Sequence, residues 1–224
     1  MSKTVHPYAH RLVILRDWKS RWFATGKKYA NFLRTDVLIR DFLTKRLRGN
    51  YISNLEIERN QKSTRVILST SRPGMLIGRN GEGVEKLKGD LMKFMRKNAL
   101  EIPQEFKFDI IEVQNPDADA AIVAYAVAEG LERRLPFRRV LKQMIEKVMQ
   151  ARGVEGARIW VTGRLGGAEI ARSEQVKRGS IPLQTVRADV DFARERAHLP
   201  YGDIGIKVWI YRGEVFTEKE NNAK

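Results

Sequence analysis

The chain has 224 residues, with 42 Lys and Arg against 27 Asp and Glu, a formal net charge of +15 and no cysteine. Without cysteine, disulfides and Cys-ligated metals are excluded, and a hydrophobic content of 42% excludes a wholly disordered basic tail. No apolar run approaches the roughly 18 residues of a membrane helix, and the N-terminus lacks a secretory pattern, so the sequence predicts a soluble cytoplasmic protein with no membrane partner.

The positive charge is concentrated at the start of the chain. Residues 1–50 hold 12 Lys and Arg but only three Asp. Five aromatic residues are interleaved with these charges: Trp18, Trp22, Phe23, Tyr29 and Phe32. Basic segments with interleaved aromatics are typical of RNA binding; a solvated helix face or an anionic membrane surface is the alternative. Residues 1–16 lack a clear period and predict a basic N-terminal arm.

Residues 17–113 predict a first α/β domain. Its predicted elements are a helix over 27–48, strands over 51–58 and 64–70, a short helix starting at Pro73, a helix over 84–98 and a strand over 106–113. A glycine-rich turn separates the second helix from the third.

Residues 114–214 predict a second domain with two helices and three or four strands. The predicted elements are helices over 118–134, with Asp117 as N-cap, and 136–151, and strands over 157–165, 181–191 and 205–211. Residues 215–224 predict a disordered polar tail.

The turn Gly78-Arg79-Asn80-Gly81 is the main chemical signal. Glycines at both of its ends remove the Cβ atoms that would block a sugar-phosphate backbone, and Arg72 and Arg79 can meet phosphates. A lone GxxG is most often only a tight turn. With the preceding Pro73-Gly74 and this order of elements, it predicts a type II KH domain, whose loop clamps single-stranded RNA.

The helix over 136–151 carries a basic edge formed by Arg138, Arg139 and Lys142. A projection at about 100° per residue places Arg139 and Lys142 opposite the apolar face and Arg138 at its margin. They could touch a passing RNA strand. Periodicity alone favours the simpler interpretation, an ordinary charged surface.

Residues 163–187 predict a glycine- and arginine-rich hairpin that contacts phosphates, with plain exposed charge as the alternative. The segment lacks the Gly-Lys-Ser/Thr ending of a P-loop. The complete set of predicted rRNA-binding residues is Lys3, Arg11, Lys19, Arg21, Lys27, Lys28, Arg164, Arg172, Lys177, Arg178 and Arg187.

Catalytic patterns are weak, so the sequence predicts no enzyme, metal, cofactor or small-molecule substrate. The three histidines, His6, His10 and His198, have no metal-ligand spacing. Asp189 and Asp191 share a strand face and could hold Mg²⁺ in a nuclease or lyase. Nearby arginines favour salt bridges instead.

Several motifs in this order resemble the bacterial family of small-ribosomal-subunit protein S-three, from Val5 to Glu214. The matching segments are Val5-His6-Pro7, Trp18-Lys19-Ser20-Arg21-Trp22-Phe23-Ala24, Arg72-Pro73-Gly74 through Gly81, Leu131-Glu132-Arg133-Arg134, Phe137-Arg138-Arg139, Gly163 through Arg172, Ile181-Pro182-Leu183-Gln184-Thr185, Arg187-Ala188-Asp189, Tyr201-Gly202 and Gly205-Ile206-Lys207-Val208-Trp209-Ile210.

The resemblance implies an α+β protein, with an N-terminal type II KH domain followed by a C-terminal domain of two helices and a mixed or antiparallel sheet. It implies binding to small-subunit rRNA in the ribosomal head, contacts with proteins S-ten and S-fourteen, and a place near S-four and S-five where mRNA enters. By this resemblance, Arg138, Arg139 and Lys142 face incoming mRNA and help to unwind it. The alternative is a free-standing KH-domain RNA chaperone or regulator.

Overall fold

The structure, a computed structural model, describes residues 5–60, 63–101 and 103–216. Lys3, and residues 217–224 of the predicted polar tail, lie outside the described residues. The chain forms two compact units. One is Trp18–Gln114, and the other combines the described residues up to Asp17 with those from Asn115 onward. The segment expected to be a separate arm therefore folds with the C-terminal half.

The elements follow in chain order. They are α1 (Pro7–His10), β1 (Ser20–Arg21), α2 (Lys27–Arg46), β2 (Ile52–Arg59), β3 (Ser63–Thr70), α3 (Pro73–Ile77), α4 (Glu82–Lys97), β4 (Glu105–Glu112), α5 (Ala120–Glu132), α6 (Phe137–Gln150), β5 (Gly156–Gly163), β6 (Arg172–Gly179), β7 (Ala188–Leu199) and β8 (Gly202–Glu214). Short 3-10 turns cover Arg79–Gly81, Pro116–Ala118 and Leu165–Gly167.

The first unit, Trp18–Gln114, contains a four-stranded sheet in the order β1-β2-β3-β4. β2 and β3 are antiparallel, while β3 and β4 are parallel, as are β1 and β2. Helices α2 and α4 each contribute apolar residues at spacings of four, which lie on one helix face. The buried set is Ile39, Leu43 and Leu47 from the α2 segment, Leu76 from α3, Leu87, Leu91 and Met95 from α4, and Ile57, Val66, Leu68 and Phe106 from the strands.

The second unit has an antiparallel sheet in the order β6-β5-β8-β7. Alternate residues of β5 and β8 form its main core with α5 and α6, because successive side chains of a strand point to opposite faces. The strand residues of this core include Ala157, Ile159, Val161, Ile204, Ile206, Val208 and Ile210.

A smaller core lies on the opposite face of this sheet. It contains Trp209 and Tyr211 of β8 with Val190 of β7, and residues of the 181–187 loop pack against it. The N-terminal segment also reaches this face, where the ring of His6 meets Phe192 edge-on at a centroid distance of 4.7 Å. The second unit is therefore layered, with helices on one face and irregular chain on the other.

Two sequence-based expectations for this unit were wrong. Asp117 is not the N-cap of α5, because Pro116–Ala118 forms a 3-10 turn and the carboxylate of Asp119 accepts from the Ala121 and Ile122 amides at 2.9 and 3.1 Å. The strand expected over 181–191 begins only at Ala188. The apolar residues before it cover the smaller core instead of pairing in the sheet.

Candidate nucleic-acid interface

The GxxG turn joins α3 to α4 and depends on backbone conformations that glycine favours. Gly78 has φ +69° and Gly81 has φ +82°, and Asn80 also lies in the left-handed region at φ +53°. The N-cap residue of α4 is Gly81, which has no side chain to cap the helix. Arg79 and Asn80 are exposed, so the turn presents a cation and an amide beside backbone donors.

Gly83, the second residue of α4, is a residue that the sequence reasoning missed. A Cβ atom there would lie 2.3 Å from the Leu76 carbonyl oxygen and 2.9 Å from that of Ile77. The close approach of α3 to α4 therefore requires a hydrogen at this position. The signal in the sequence was a third glycine, Gly83, shortly after the GxxG pair.

The surroundings of the turn combine charge with apolar surface. The Arg72 guanidinium lies over the Tyr51 ring, 4.4 Å from its centroid. On α3, Met75 and Ile77 are exposed apolar side chains. A single strand could lie here with its phosphates near the arginines and its bases on the apolar surface.

The predicted RNA-binding residues before α2 and at its start differ in their availability. Lys19, Lys27 and Lys28 are exposed. Arg21 of β1 forms ion pairs with Glu56 and Glu58 of the neighbouring strand β2. Lys27 and Lys28 lie in the first turn of α2, where positive charge opposes the helix dipole. Helix stability therefore does not explain these two lysines.

Arg11, expected to bind rRNA, is instead buried, which corrects that assignment. It is fully inaccessible to solvent. Its guanidinium donates to carbonyl oxygens at 2.5–3.1 Å, with burial lowering its pKa. The acceptors are the carbonyls of Pro7, Pro182, Leu183, Thr185 and Ala188. Arg11 thus fastens the N-terminal segment to the loop before β7 and is unavailable to phosphate.

The basic edge of α6 is exposed, as its periodicity predicts. Val140, Leu141 and Ile145 are buried on the other side of the helix, and Arg139 and Lys142 face solvent. Arg138 is also exposed, but it donates to Glu174 of β6, with Nη2 3.1 Å from Oε1 and Nε 3.4 Å from Oε2.

The structure joins this edge to part of the glycine-rich hairpin. The guanidinium carbons of Arg138 and Arg172 lie 5.6 and 5.9 Å from the centroid of the Phe137 ring. Hydrogen bonding with Arg138 lowers the pKa of Glu174 most strongly, and the nearby charges of Arg138 and Arg172 also lower it. Phe137 and Glu174 were not predicted as site residues, since neither type is a usual phosphate ligand.

The remaining hairpin residues do not form one surface. Arg164 donates to the carbonyls of Ala168 and Tyr201, so it braces the turn after β5. Lys177 and Arg178 are exposed on the edge strand β6, and as neighbours in a strand they point to opposite faces.

Arg187 lies outside the hairpin strands, in the residues just before β7. It pairs with Glu214 at 2.7 Å and also lies over the Phe216 ring, 5.3 Å from its centroid. Its guanidinium therefore already has partners within the chain.

Asp189 and Asp191 are ion-pair partners rather than a cation site. Asp189 accepts from Arg16 at 2.7 Å, and Asp191 accepts from Arg212 at 3.0 Å and from the Ala120 amide at 3.0 Å. Across the described ranges, no group of three or more acidic, His or Cys side chains could hold a metal. Within those ranges, too, no helix has the length and apolar character to cross a membrane.

Comparison with known proteins gives two family models that match successive parts of the chain. The KH domain model matches residues 38–118, and the model for the C-terminal domain of ribosomal protein S3 matches residues 127–210. These matches confirm the predicted α+β class, with a KH domain preceding a C-terminal α+β domain.

Whole-chain relatives carry the name small ribosomal subunit protein uS3. The relative from Listeria monocytogenes is 45% identical over 224 residues, covering 100% of this chain and 99% of its own length. The relative from Clostridium novyi is 42% identical over 220 residues, covering 98% of this chain and 96% of its own length. The relative from Acinetobacter baumannii is 44% identical over 215 residues, covering 96% of this chain and 83% of its own length. These names denote a ribosomal component and not an enzyme. The chain belongs to the family of small-ribosomal-subunit protein uS3.

Proposed function

We propose that the chain is a structural component of the head of the small ribosomal subunit, where it binds small-subunit rRNA and lines the channel through which mRNA enters. The proposal places it on cytoplasmic ribosomes, in contact with proteins S-ten and S-fourteen and near S-four and S-five. Similarity along the full chain to relatives named for this subunit supports the ribosomal assignment.

The exposed edge of α6 is the observation that carries the mRNA-binding part of the proposal. Arg138, Arg139 and Lys142 project from a helix whose other face is held in the core. Arg172 extends this positive surface onto β6 through the Phe137 ring. A row of cations on a well-packed helix can hold the phosphates of a moving strand without reading its sequence.

The KH turn and the exposed lysines of the first unit support rRNA binding. Arg72, Arg79 and Asn80 present donors beside the exposed apolar side chains of α3, and Lys27 and Lys28 add charge at the start of α2. Most of the binding free energy is then expected from Lys and Arg on phosphates. Such binding weakens steeply as salt rises, because RNA releases bound counterions when it is neutralised.

Sedimentation of a lysate carrying the tagged chain, on gradients of increasing salt, tests the ribosomal assignment. We expect co-migration with small subunits and whole ribosomes in a fixed ratio to rRNA. Migration as free protein, or with scattered mRNAs that dissociate at modest salt, would contradict the proposal and favour the free-standing KH regulator.

A triple variant tests the mRNA-facing edge. Replacing Arg138, Arg139 and Lys142 with Ala should leave assembly intact and slow translation through a downstream mRNA hairpin, because the cations that hold the unwound strand are gone. A matched control replaces the exposed Lys88, Lys93 and Lys97 of α4 with Ala, which removes the same charge elsewhere. Equal hairpin sensitivity in parent, control and variant ribosomes would contradict the role of this edge.

A further inference from the structure

Phe23 is an exposed aromatic residue on a segment that is held in place. Its side chain is 88% exposed. The adjacent Trp22 is anchored: its Nε1 donates to Asp36 Oδ2 at 2.6 Å, and its ring meets Phe32 edge-on at a centroid distance of 5.7 Å. The outward position of Phe23 therefore follows from the packing of its neighbour.

The anchor of Trp22 is part of the interior of the first unit. The other carboxylate oxygen of Asp36 accepts from Arg59 Nη2 at 2.7 Å, and both side chains of this ion pair are about 95% buried. The Arg59 guanidinium also lies over the Phe32 ring, 4.6 Å from its centroid. Trp22 is thus tied to a buried charge pair whose disruption would be costly.

A second set of contacts fixes the chain just before Trp22. Arg40 of α2 donates to the Lys19 and Leu55 carbonyls at 2.6 and 2.7 Å. Ser20 and Arg21 pair with β2 in parallel. Residues 19–22 are therefore held by backbone and side-chain bonds, and Phe23 follows them directly with its side chain exposed to solvent.

The charged residues of the segment that contains Phe23 are all basic. Residues 18–34 contain five Lys and Arg and no Asp or Glu. Arg21 is engaged by Glu56 and Glu58, whereas Lys27, Lys28 and Arg34 are exposed. The Tyr29 ring is half exposed. An aromatic surface bordered by cations complements a nucleotide, which offers a flat base and a negative phosphate.

We propose that Phe23 is a stacking platform for an unpaired base of rRNA whose adjoining phosphates lie against Lys27 and Lys28. The inference rests on the proposed rRNA binding and adds a base-contacting residue to it. A protein partner is the other class of occupant for exposed apolar side chains. The exposed cations Lys27, Lys28 and Arg34 favour RNA, because an apolar protein contact gains nothing from desolvating several basic side chains.

Three substitutions at Phe23 separate stacking from apolar docking. Binding of the full chain to small-subunit rRNA is measured by filter retention at fixed salt for F23A, F23L and F23Y. Stacking requires a ring, so we expect F23A and F23L to bind about tenfold more weakly and F23Y to bind within about twofold of the parent. I111A, which truncates a half-exposed apolar side chain on β4, is the matched control and should bind as the parent does.

Salt dependence gives a second readout. F23A should leave the slope of log affinity against log salt unchanged, since stacking releases no counterions, while K27A with K28A should reduce it by about 0.7 for each phosphate that is no longer neutralised. Irradiation should crosslink the peptide that contains Phe23 to a base.

The outcomes distinguish this inference from the proposed function. If the parent binds rRNA and both F23A and F23L match it, stacking is overturned while rRNA binding stands. If F23L retains the affinity that F23A loses, Phe23 makes an apolar contact and stacking is again overturned. A parent chain that fails to bind rRNA would overturn the proposed function itself.

Discussion

At the scale of single residues, Glu174 is an acid that accepts from Arg138, one of the cations predicted to face mRNA. A phosphate that binds Arg138 must displace or share the Glu174 carboxylate, which accepts two hydrogen bonds from that guanidinium. Hydrogen bonding with Arg138 lowers the pKa of Glu174, so the carboxylate is charged at neutral pH. Exposed pairs contribute little to folding stability. The effect of Glu174 is therefore expected on RNA binding.

Replacing Glu174 with Gln should tighten binding of single-stranded RNA about two- to threefold at low salt, because Arg138 gains a free guanidinium for phosphate, with the salt slope steeper by up to about 0.7. Binding to an oligouridine at several salt concentrations measures both the affinity and its salt slope. The folded-state pKa of Glu174 is depressed. The difference in RNA affinity between E174Q and the parent should therefore persist as the pH falls to and below the ordinary pKa of glutamate. It should vanish as pH falls through that depressed pKa and the parent is neutralised.

E146Q, which neutralises an exposed acid on α6, is the control and should have a smaller effect. Equal affinities of E174Q and the parent at neutral pH would contradict competition between Glu174 and phosphate.

The conformation or exposure of individual residues was predictable where a local motif defined it. Gly78 and Gly81 belong to a short motif with a backbone requirement, and the exposure of Arg139 and Lys142 follows from helical periodicity. The burial of Arg11 did not follow, because composition does not distinguish a guanidinium that satisfies carbonyls from one that binds phosphate. The pairing of Arg138 with Glu174 joins residues 36 positions apart, beyond the reach of local patterns.

At the scale of elements, α3, the GxxG turn and α4 form one unit whose geometry depends on Gly83. The Leu76 and Ile77 carbonyls occupy the space that a Cβ on Gly83 would need. A Cβ on Gly89, in the same helix, would have no neighbouring atom within 4 Å. The two glycines therefore differ only in their surroundings.

Replacing Gly83 with Ala should lower the free energy of unfolding by about 1–3 kcal/mol, because α3 must move away from α4. Replacing Gly89 with Ala should raise it by up to about 1 kcal/mol, since Ala is the better helix former. Urea unfolding of both variants measures these changes, and G83A should also weaken RNA binding at the turn. A stabilised G83A would contradict the steric role of Gly83.

The helices were the best-predicted elements, because α2, α4 and α6 carry apolar residues at a clear helical spacing. The predicted start of α5 was wrong by two residues, because Asp117 and Asp119 are both residue types that cap helices. The 3-10 turn at Pro116–Ala118 makes Asp119 the N-cap, and the sequence pattern did not predict this turn. The apolar residues before β7 were predicted to form a strand, because a loop that covers a core needs the same kind of apolar side chains as a strand that faces one.

At the scale of the whole molecule, the N-terminal segment completes a unit built mainly from the C-terminal half. Replacing Arg11 with Ala should destabilise that unit by several kcal/mol, because each buried carbonyl left unsatisfied costs about 1–3 kcal/mol. Amide hydrogen exchange, measured separately for the two units, reports this destabilisation. Protection in Trp18–Gln114 should be unchanged.

R16A is the matched control for R11A. It breaks the partly exposed ion pair with Asp189, worth about 0–1 kcal/mol. Equal loss of protection in R11A and R16A would contradict the structural role of Arg11.

The division into two units was predictable from the Asn115-Pro116 boundary and from the order of elements. The packing of the N-terminal segment with the C-terminal half was not predictable, because an irregular segment has no hydrophobic period that identifies the sheet it packs against. Its place became evident only from contacts such as that between Arg11 and Ala188, which lie 177 positions apart.

The burial of Arg11 also bears on how the chain is made. A translating ribosome releases Arg11 long before four of the five carbonyls that it binds, those of Pro182, Leu183, Thr185 and Ala188. The segment therefore cannot complete its contacts until most of the chain is synthesised. During that interval Trp18–Gln114, which is contiguous, can fold on its own contacts. Its folding replaces a long flexible span by a compact insert, and a shorter flexible span costs less entropy to close. The N-terminal segment that contains Arg11 is thus synthesised early but completes its packing late.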